Sequence, residues 1–357
     1  MPDYLFVDHP DSLKENLTGH PQLGVDTEFM REKTYFAQLC LIQISTRDDI
    51  YCVDPLVEET QEQFWKQLLA VDWVVHSARQ DIEVVYQTAG SMPATIFDTQ
   101  IAAGLLGMSA QVGYAGLVKE LFDVEMAKSY TRADWTRRPL AEAVLDYAAE
   151  DVEYLLPGAD ILCERLDKKN RLDWARQDSQ LLLDPALYDL MPDQAIGRLR
   201  GARNFRGSKR TAAVRLAVWR EKESIQRNRP RQWILRDNVL LDIAYKSPAN
   251  LDQLAAIEGM PPKIVQRSGK QLIDELAASA DDESSYEPPR PPDETQKMLL
   301  KEMQAKVSEC ATDLDLATEI VASKRELSSV IITGSRESRV FSGWRLDLIG
   351  DQLLQLL

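Results

Sequence analysis

A chain of 357 residues with 44% hydrophobic and 28% charged residues has a globular balance and is long enough for two or three domains. No apolar run approaches the roughly 20 residues that span a bilayer, and the opening Met1-Pro2-Asp3-Tyr4-Leu5-Phe6-Val7 lacks the basic start and apolar stretch of a secretory signal, so a cytoplasmic protein without membrane partners is expected. Four cysteines with no Cys-x-x-Cys pair, and three histidines, argue against a Cys/His zinc site and leave any metal to oxygen donors, Mg²⁺ or Mn²⁺.

In chain order, residues 23–29 read as a buried strand carrying Asp26 and Glu28. Residues 40–45 and 50–54 read as two more, joined by a hairpin turn at Arg47-Asp48-Asp49; Cys40 in this run is read as core rather than nucleophile. Residues 58–70 have helical spacing, 73–76 form a short strand, and 81–88 return to helical spacing. Residues 95–97 add a strand before a helix starting near Asp98, which looks like its cap. This alternation predicts an α/β fold, a mixed sheet flanked by helices. Beyond Leu140 the strand signals fade. Residues 141–168 are one helical pattern that Pro157 should bend or break. Short amphipathic segments fill 205–280, an acidic, proline-rich linker occupies 281–293, and 294–357 are again helical.

The net charge of −15 is unevenly spread. Between Arg198 and Asp237 stand thirteen basic residues and three acids, +10 in all, which leaves −25 for the rest of the chain. Such segregation is the footprint of a polyanion contact, and equally of a solvated helix face with its linker.

Asp26 and Glu28 are two apart on a strand, so their side chains share a face. Two adjacent carboxylates repel unless a cation lies between them; a strand end facing water shows the same triplet. Tyr147 and Asp151 are four apart on a helical pattern and share a face. A phenol with a pKa near 10 is a poor base at neutral pH, so Tyr147 is better suited to orienting a water than to deprotonating it. Asp81 lies near a helix start, where an acid also compensates the helix dipole.

The order Asp26-x-Glu28, Asp81, Tyr147-x-x-x-Asp151 resembles the DEDDy 3′–5′ exonucleases of the ribonuclease H-like superfamily. The segments His76-Ser-Ala-Arg-Gln-Asp81, Phe97-Asp98-Thr99-Gln100, Arg132-Ala-Asp134-Trp135, Arg138-Pro139-Leu140 and Tyr147-Ala-Ala-Glu-Asp151 are similar to the ribonuclease D family, over about residues 1–200. Gly207-Ser208-Lys209-Arg210, Leu216-Ala-Val-Trp219 and Pro230-Arg231-Gln232-Trp233 resemble an HRDC domain, a helical nucleic-acid-binding module.

The resemblance implies a ribonuclease H-like mixed sheet over residues 1–200, followed by two all-α HRDC-type helical domains, 205–280 and 294–357, with 281–293 as linker. It further implies two divalent metal ions, Mg²⁺ or Mn²⁺, on Asp26, Glu28, Asp81 and Asp151, with Asp26 bridging and Tyr147 orienting the attacking water. The product would be a 5′-nucleoside monophosphate. The expected substrate is RNA, namely tRNA precursors and small structured RNAs, and the expected state a monomer. Lys128, Arg132 and Arg138 are placed to touch phosphates near the site, and Trp135 either stacks on a base or belongs to the core. Arg206, Lys209 and Arg210 would grip RNA farther upstream. A DNA exonuclease of the same chemistry and a noncatalytic RNA-binding protein are the alternatives.

Overall fold

Six strands form one sheet in the order β1-β4-β3-β2-β5-β6: β1 Leu5–Val7, β2 Gln22–Met30, β3 Gln38–Ser45, β4 Ile50–Val53, β5 Asp72–Val75 and β6 Ile96–Asp98. β3 and β4 are antiparallel, whereas β1 runs parallel to β4, and β2, β5 and β6 run parallel to one another. The sheet is therefore mixed. From Leu39 to Ser45 β3 is buried without interruption, as a strand covered on both faces requires. Strand β1 is absent from the sequence reading, because Leu5 and Phe6 are exposed and three residues give no alternation.

Helices cover the sheet: α1 Glu62–Ala70, α2 Arg79–Ala89, α3 Thr99–Leu105, α4 Tyr114–Phe122, α5 Glu142–Glu153, α6 Leu155–Lys168 and α7 Leu172–Gln180. The helical pattern of 141–168 is broken at Tyr154. Pro157 has no N–H to return to the preceding turn, and the Tyr154 N–H donates to the Tyr114 hydroxyl at 2.9 Å.

The structure describes residues 2–57, 61–126, 130, 133–278, 286 and 290–357. The chain divides into two units, one made of Met1–Met30, Leu39–Tyr188 and Pro292–Leu357, the other of Arg31–Gln38 and Asp189–Pro291. The last segment of the chain is thus grouped with the sheet, across the linker. Its helices α11 Glu294–Asp313 and α12 Lys324–Thr333 both start with reciprocal capping boxes, Asp293 with Gln296 and Ser323 with Glu326. Trp344 stacks on Trp174 with centroids 4.4 Å apart. Its indole donates to Asp178, which also takes two bonds of 2.6 and 2.7 Å from Arg345.

The second unit is helical: α8 Gly207–Arg227, α9 Asp237–Lys246 and α10 Pro262–Ala278, with one-turn helices Arg231–Ile234 and Leu251–Ala255 between them. Leu216, Trp219, Leu240, Ile243, Leu254 and Leu272 fill its own core. No helix among the described residues is long and apolar enough to cross a membrane.

Candidate active site

The site forms in the first unit around β2. Gly24 lies two residues before Asp26, and a Cβ there would stand 2.2 Å from Ser45 Oγ and 3.1 Å from Leu155 Cβ. Glycine is required for close approach of the α5–α6 junction, not for its own torsions. Ser45 fastens that junction by donating to the Val152 carbonyl at 2.9 Å. This brings Asp151 of α5 against Asp26 and Glu28 of β2.

From the other side, Asp81 enters in the first turn of α2 and is buried. Thr27, between the two strand acids, donates its hydroxyl to Asp81 Oδ1 at 2.5 Å. The turn before α2 is held by Asp98. Its carboxylate accepts from the N–H groups of Ser77 at 3.0 Å, Ala78 at 2.9 Å and Gln100 at 2.8 Å. Ser77 sits at φ 61°, a left-handed conformation costly for a residue with a side chain. His76 contacts Thr99 Oγ1 and the Val112 carbonyl, each at 2.9 Å. Asp98 is thus the helix cap the sequence suggested and also the clamp on the turn that delivers Asp81. Thr27 and the clamping role of Asp98 escaped the sequence reading; a polar residue inside a buried strand was the available signal for Thr27.

All four carboxylates are pushed toward their neutral forms. Burial, then Asp151, raises Asp26 to about 8. Burial, then Asp26, Asp151 and Asp81, raises Glu28 to about 9. Burial raises Asp151 to about 7, and burial with the nearby Asp26 carries Asp81 well above the usual carboxylate range. The charges acting on them are carboxylates, one another's together with Glu150 beside Asp151 and Asp98 beside Asp81. Four hard oxygen donors short of positive charge are the donor set that Mg²⁺ or Mn²⁺ takes. Among the described residues no three of them already converge closely enough to hold an ion. The chemistry of the set therefore fits a divalent cation, while a finished cage is not in place.

Tyr147 bonds to Asp151 one helical turn on, and burial with the charges of Asp151 and Glu28 raises its pKa further. It is a still poorer base than free tyrosine and remains an O–H donor. Cys40 and Cys52 are buried, and burial raises them to about 11 and about 12; neither supplies a thiolate nucleophile.

The expected nucleic-acid contacts fare differently. Trp135 is 2% exposed and packs with Cys40, Cys52 and Ala148, so no base can stack on it; of the two roles foreseen, the core role is the one observed. Arg138 is a brace rather than a phosphate contact. It bonds to both oxygens of buried Asp54 and donates to the carbonyls of Trp135 and Cys40, which leaves its fork engaged internally. Lys128 and Arg132 lie outside the described residues. Arg206 is exposed, Arg210 bonds to the Phe205 carbonyl, and the Lys209 ammonium sits 3.6 Å over the ring of exposed Tyr245. Part of the basic cluster is spent inside the second unit, in Arg198 and Arg231 to Glu221, Arg220 to Asp237, Arg215 to Glu275 and Arg227 to Glu223.

A family model described as a 3′-5′ exonuclease matches residues 7–169, which hold all five site residues, and one described as an HRDC domain matches 210–276. Ribonuclease D of Gluconacetobacter diazotrophicus is 34% identical over 373 residues, 100% of this chain and 93% of that protein. Ribonuclease D of Xanthomonas oryzae pv. oryzae is 34% identical over 99% of this chain and 98% of that protein. The chain belongs to the ribonuclease D family. The crystal structure of Escherichia coli RNase D matches with a TM-score of 0.88 at 25% identity, over 100% of this chain and 99% of that one. As a ribonuclease D, the chain is a 3′–5′ exoribonuclease with an HRDC region after its catalytic domain.

Proposed function

We propose that this ribonuclease D shortens structured RNAs, tRNA precursors among them, from their 3′ ends, one 5′-nucleoside monophosphate at a time. The observation that carries the chemistry is the set of four carboxylates, Asp81 buried and the others partly buried, that raise one another's pKa, flanked by a tyrosine that donates but does not deprotonate. Asp26, Glu28, Asp81 and Asp151 would hold two divalent cations. When bound, such ions neutralise the charge that builds on the phosphate and on the attacking and leaving oxygens. Asp151 accepts the single O–H of Tyr147, so the phenol is held beside the carboxylates and its oxygen would orient the incoming water by accepting from it. Thr27 and Asp98 fix Asp81 from behind. The RNA reading is supported by the E. coli protein, described as an exoribonuclease involved in structured RNA processing.

The test is a time course on a 5′-labelled transcript with an extended 3′ end, in Mg²⁺, in Mn²⁺ and in EDTA. A ladder descending by single nucleotides with either metal, and absent in EDTA, is expected. Asp26→Asn should lower turnover by roughly a thousandfold or more. Near-normal digestion by folded Asp26→Asn would remove the metal-site assignment. Faster digestion of a DNA strand of the same sequence would move the substrate to DNA, because only RNA offers a 2′-hydroxyl.

A further inference from the structure

Strand β3 carries a glutamine through the middle of its buried run. Gln43 is 0% exposed, and neither its amide nitrogen nor its amide oxygen has a hydrogen-bond partner among the described residues. A buried amide without partners is costly and rare in folded proteins. A methionine or leucine would fill the same space in the sheet without that cost, so packing does not account for a glutamine here.

The register of the sheet says what the amide faces. Residues 31–37 join β2 to β3, too few for the crossover of roughly a dozen residues that a parallel pair needs, so these neighbouring strands are antiparallel. A Cβ on Gly24 would collide with Ser45 Oγ, which sets Gly24 opposite Ser45. Two residues along each strand, on the same face, Asp26 lies opposite Gln43. On the other side, β4 sets Cys52 opposite Gln43. This face lies under α5, where Ser45 donates to the Val152 carbonyl and Cys52 packs with Ala148 and Ala149. Directly opposed Cβ atoms are about 4.5–5.5 Å apart, a gap that a glutamine side chain spans. Cys52 is a weak hydrogen-bonding group. Glu28 and Asp54 stand one diagonal step farther, and Asp54 has both oxygens on Arg138. Asp26 is the charged acceptor that the register places nearest to the amide.

We infer that Gln43 is a positioning residue of the metal site, whose side-chain N–H donates to the Asp26 carboxylate and fixes its orientation as a ligand. The role rests on the reading of Asp26 as a metal ligand. Hydrogen bonds to ligand carboxylates from behind set their orientation and tune the affinity of the site. A neutral amide suits this place, because it orients the carboxylate without cancelling the charge that holds the cation. Among the described residues no three carboxylates converge closely enough to hold an ion, so the side-chain orientation of Asp26 bears directly on whether the set closes. Thr27, the next residue of β2, serves Asp81 in the same way through its hydroxyl.

The test is made on the full chain and apart from turnover: Mn²⁺ affinity by calorimetry, and the melting temperature in EDTA. Gln43→Met and Gln43→Leu remove the amide and keep an apolar side chain of similar size. Gln87→Met, which removes another glutamine with a buried, unpartnered amide oxygen, on α2, is the control. Because the Gln43 amide has no partner to lose, both Gln43 variants should melt in EDTA no lower than the parent. Their Mn²⁺ affinity should fall about tenfold or more, while Gln87→Met binds Mn²⁺ as the parent does. Folded Gln43 variants with the parent's affinity would overturn the role, as would a loss of affinity that only follows a lowered melting temperature. A parent that binds no Mn²⁺ would overturn the metal reading of Asp26 and this role with it. Binding by the parent without loss in the variants would strike the role of Gln43 alone.

Discussion

At the scale of single residues, the site is defined by carboxylates that raise one another's pKa. Raised carboxylate pKa values mean that the folded chain holds protons more tightly than the unfolded chain, from the usual carboxylate range near 4 up to about 7 to 9. Stability from this source is present at low pH and is lost as pH rises through that window. In EDTA the melting temperature should therefore fall between about pH 6 and about pH 9, less so for Asp26→Asn, and added Mg²⁺ should restore it. A flat profile in EDTA, with no response to metal, would contradict the electrostatic account of the site. Tyr147 makes a separate prediction. Because its pKa is raised and its hydroxyl is held by Asp151, Tyr147→Phe should lower kcat by about a hundredfold while RNA affinity stays near the parent value. Single-turnover kinetics beside equilibrium binding separates the two, and parallel losses would reassign the tyrosine to substrate binding.

At the scale of elements, the β5–α2 turn positions Asp81, and Asp98 at the end of β6 holds that turn. One carboxylate caps α3 and also satisfies the amides of Ser77 and Ala78. Asp98→Ala loses a cap worth about 1 kcal/mol and leaves buried amides unpaired at about 1–3 kcal/mol. It should be less stable by about 2–4 kcal/mol in urea unfolding and should lose activity even where it is folded; Asp98→Asn, still able to cap, should recover part of both. An active, fully stable Asp98→Ala would show that Asp81 does not depend on this clamp. The strands and helices around the site were legible because β2, β3 and α5 carry clean apolar runs or helical spacing. Two features were not. Strand β1 is too short and exposed to show a pattern, and the break at Tyr154 precedes Pro157 by three residues, because a proline disturbs the turn before it.

At the scale of the whole chain, residues 292–357 belong with the catalytic sheet although a proline-rich linker precedes them. The connection runs through Asp178 and Arg345, both buried, with Trp344 stacked on Trp174. Removing one partner of a buried pair strands the other charge, so Arg345→Ala should cost about 3–5 kcal/mol in denaturant unfolding. The double variant Asp178→Leu with Arg345→Leu should recover much of that loss, because it leaves no uncompensated charge. If Arg345→Ala is as stable as the parent, the last helices are not anchored by this pair.

The sequence alone determined most of the strands and helices around the sheet, β1 excepted, and the concentration of basic charge, because these depend on local periodicity and on residue type; the five candidate site residues followed from a family resemblance. Only the tertiary structure decided where the cations go. It buried Trp135, engaged Arg138 with Asp54, and paired much of the 198–236 cluster with Glu221, Glu223, Asp237 and Glu275. An arginine's partner is set by which distant segments pack beside it, and one-dimensional charge counts carry no record of that packing.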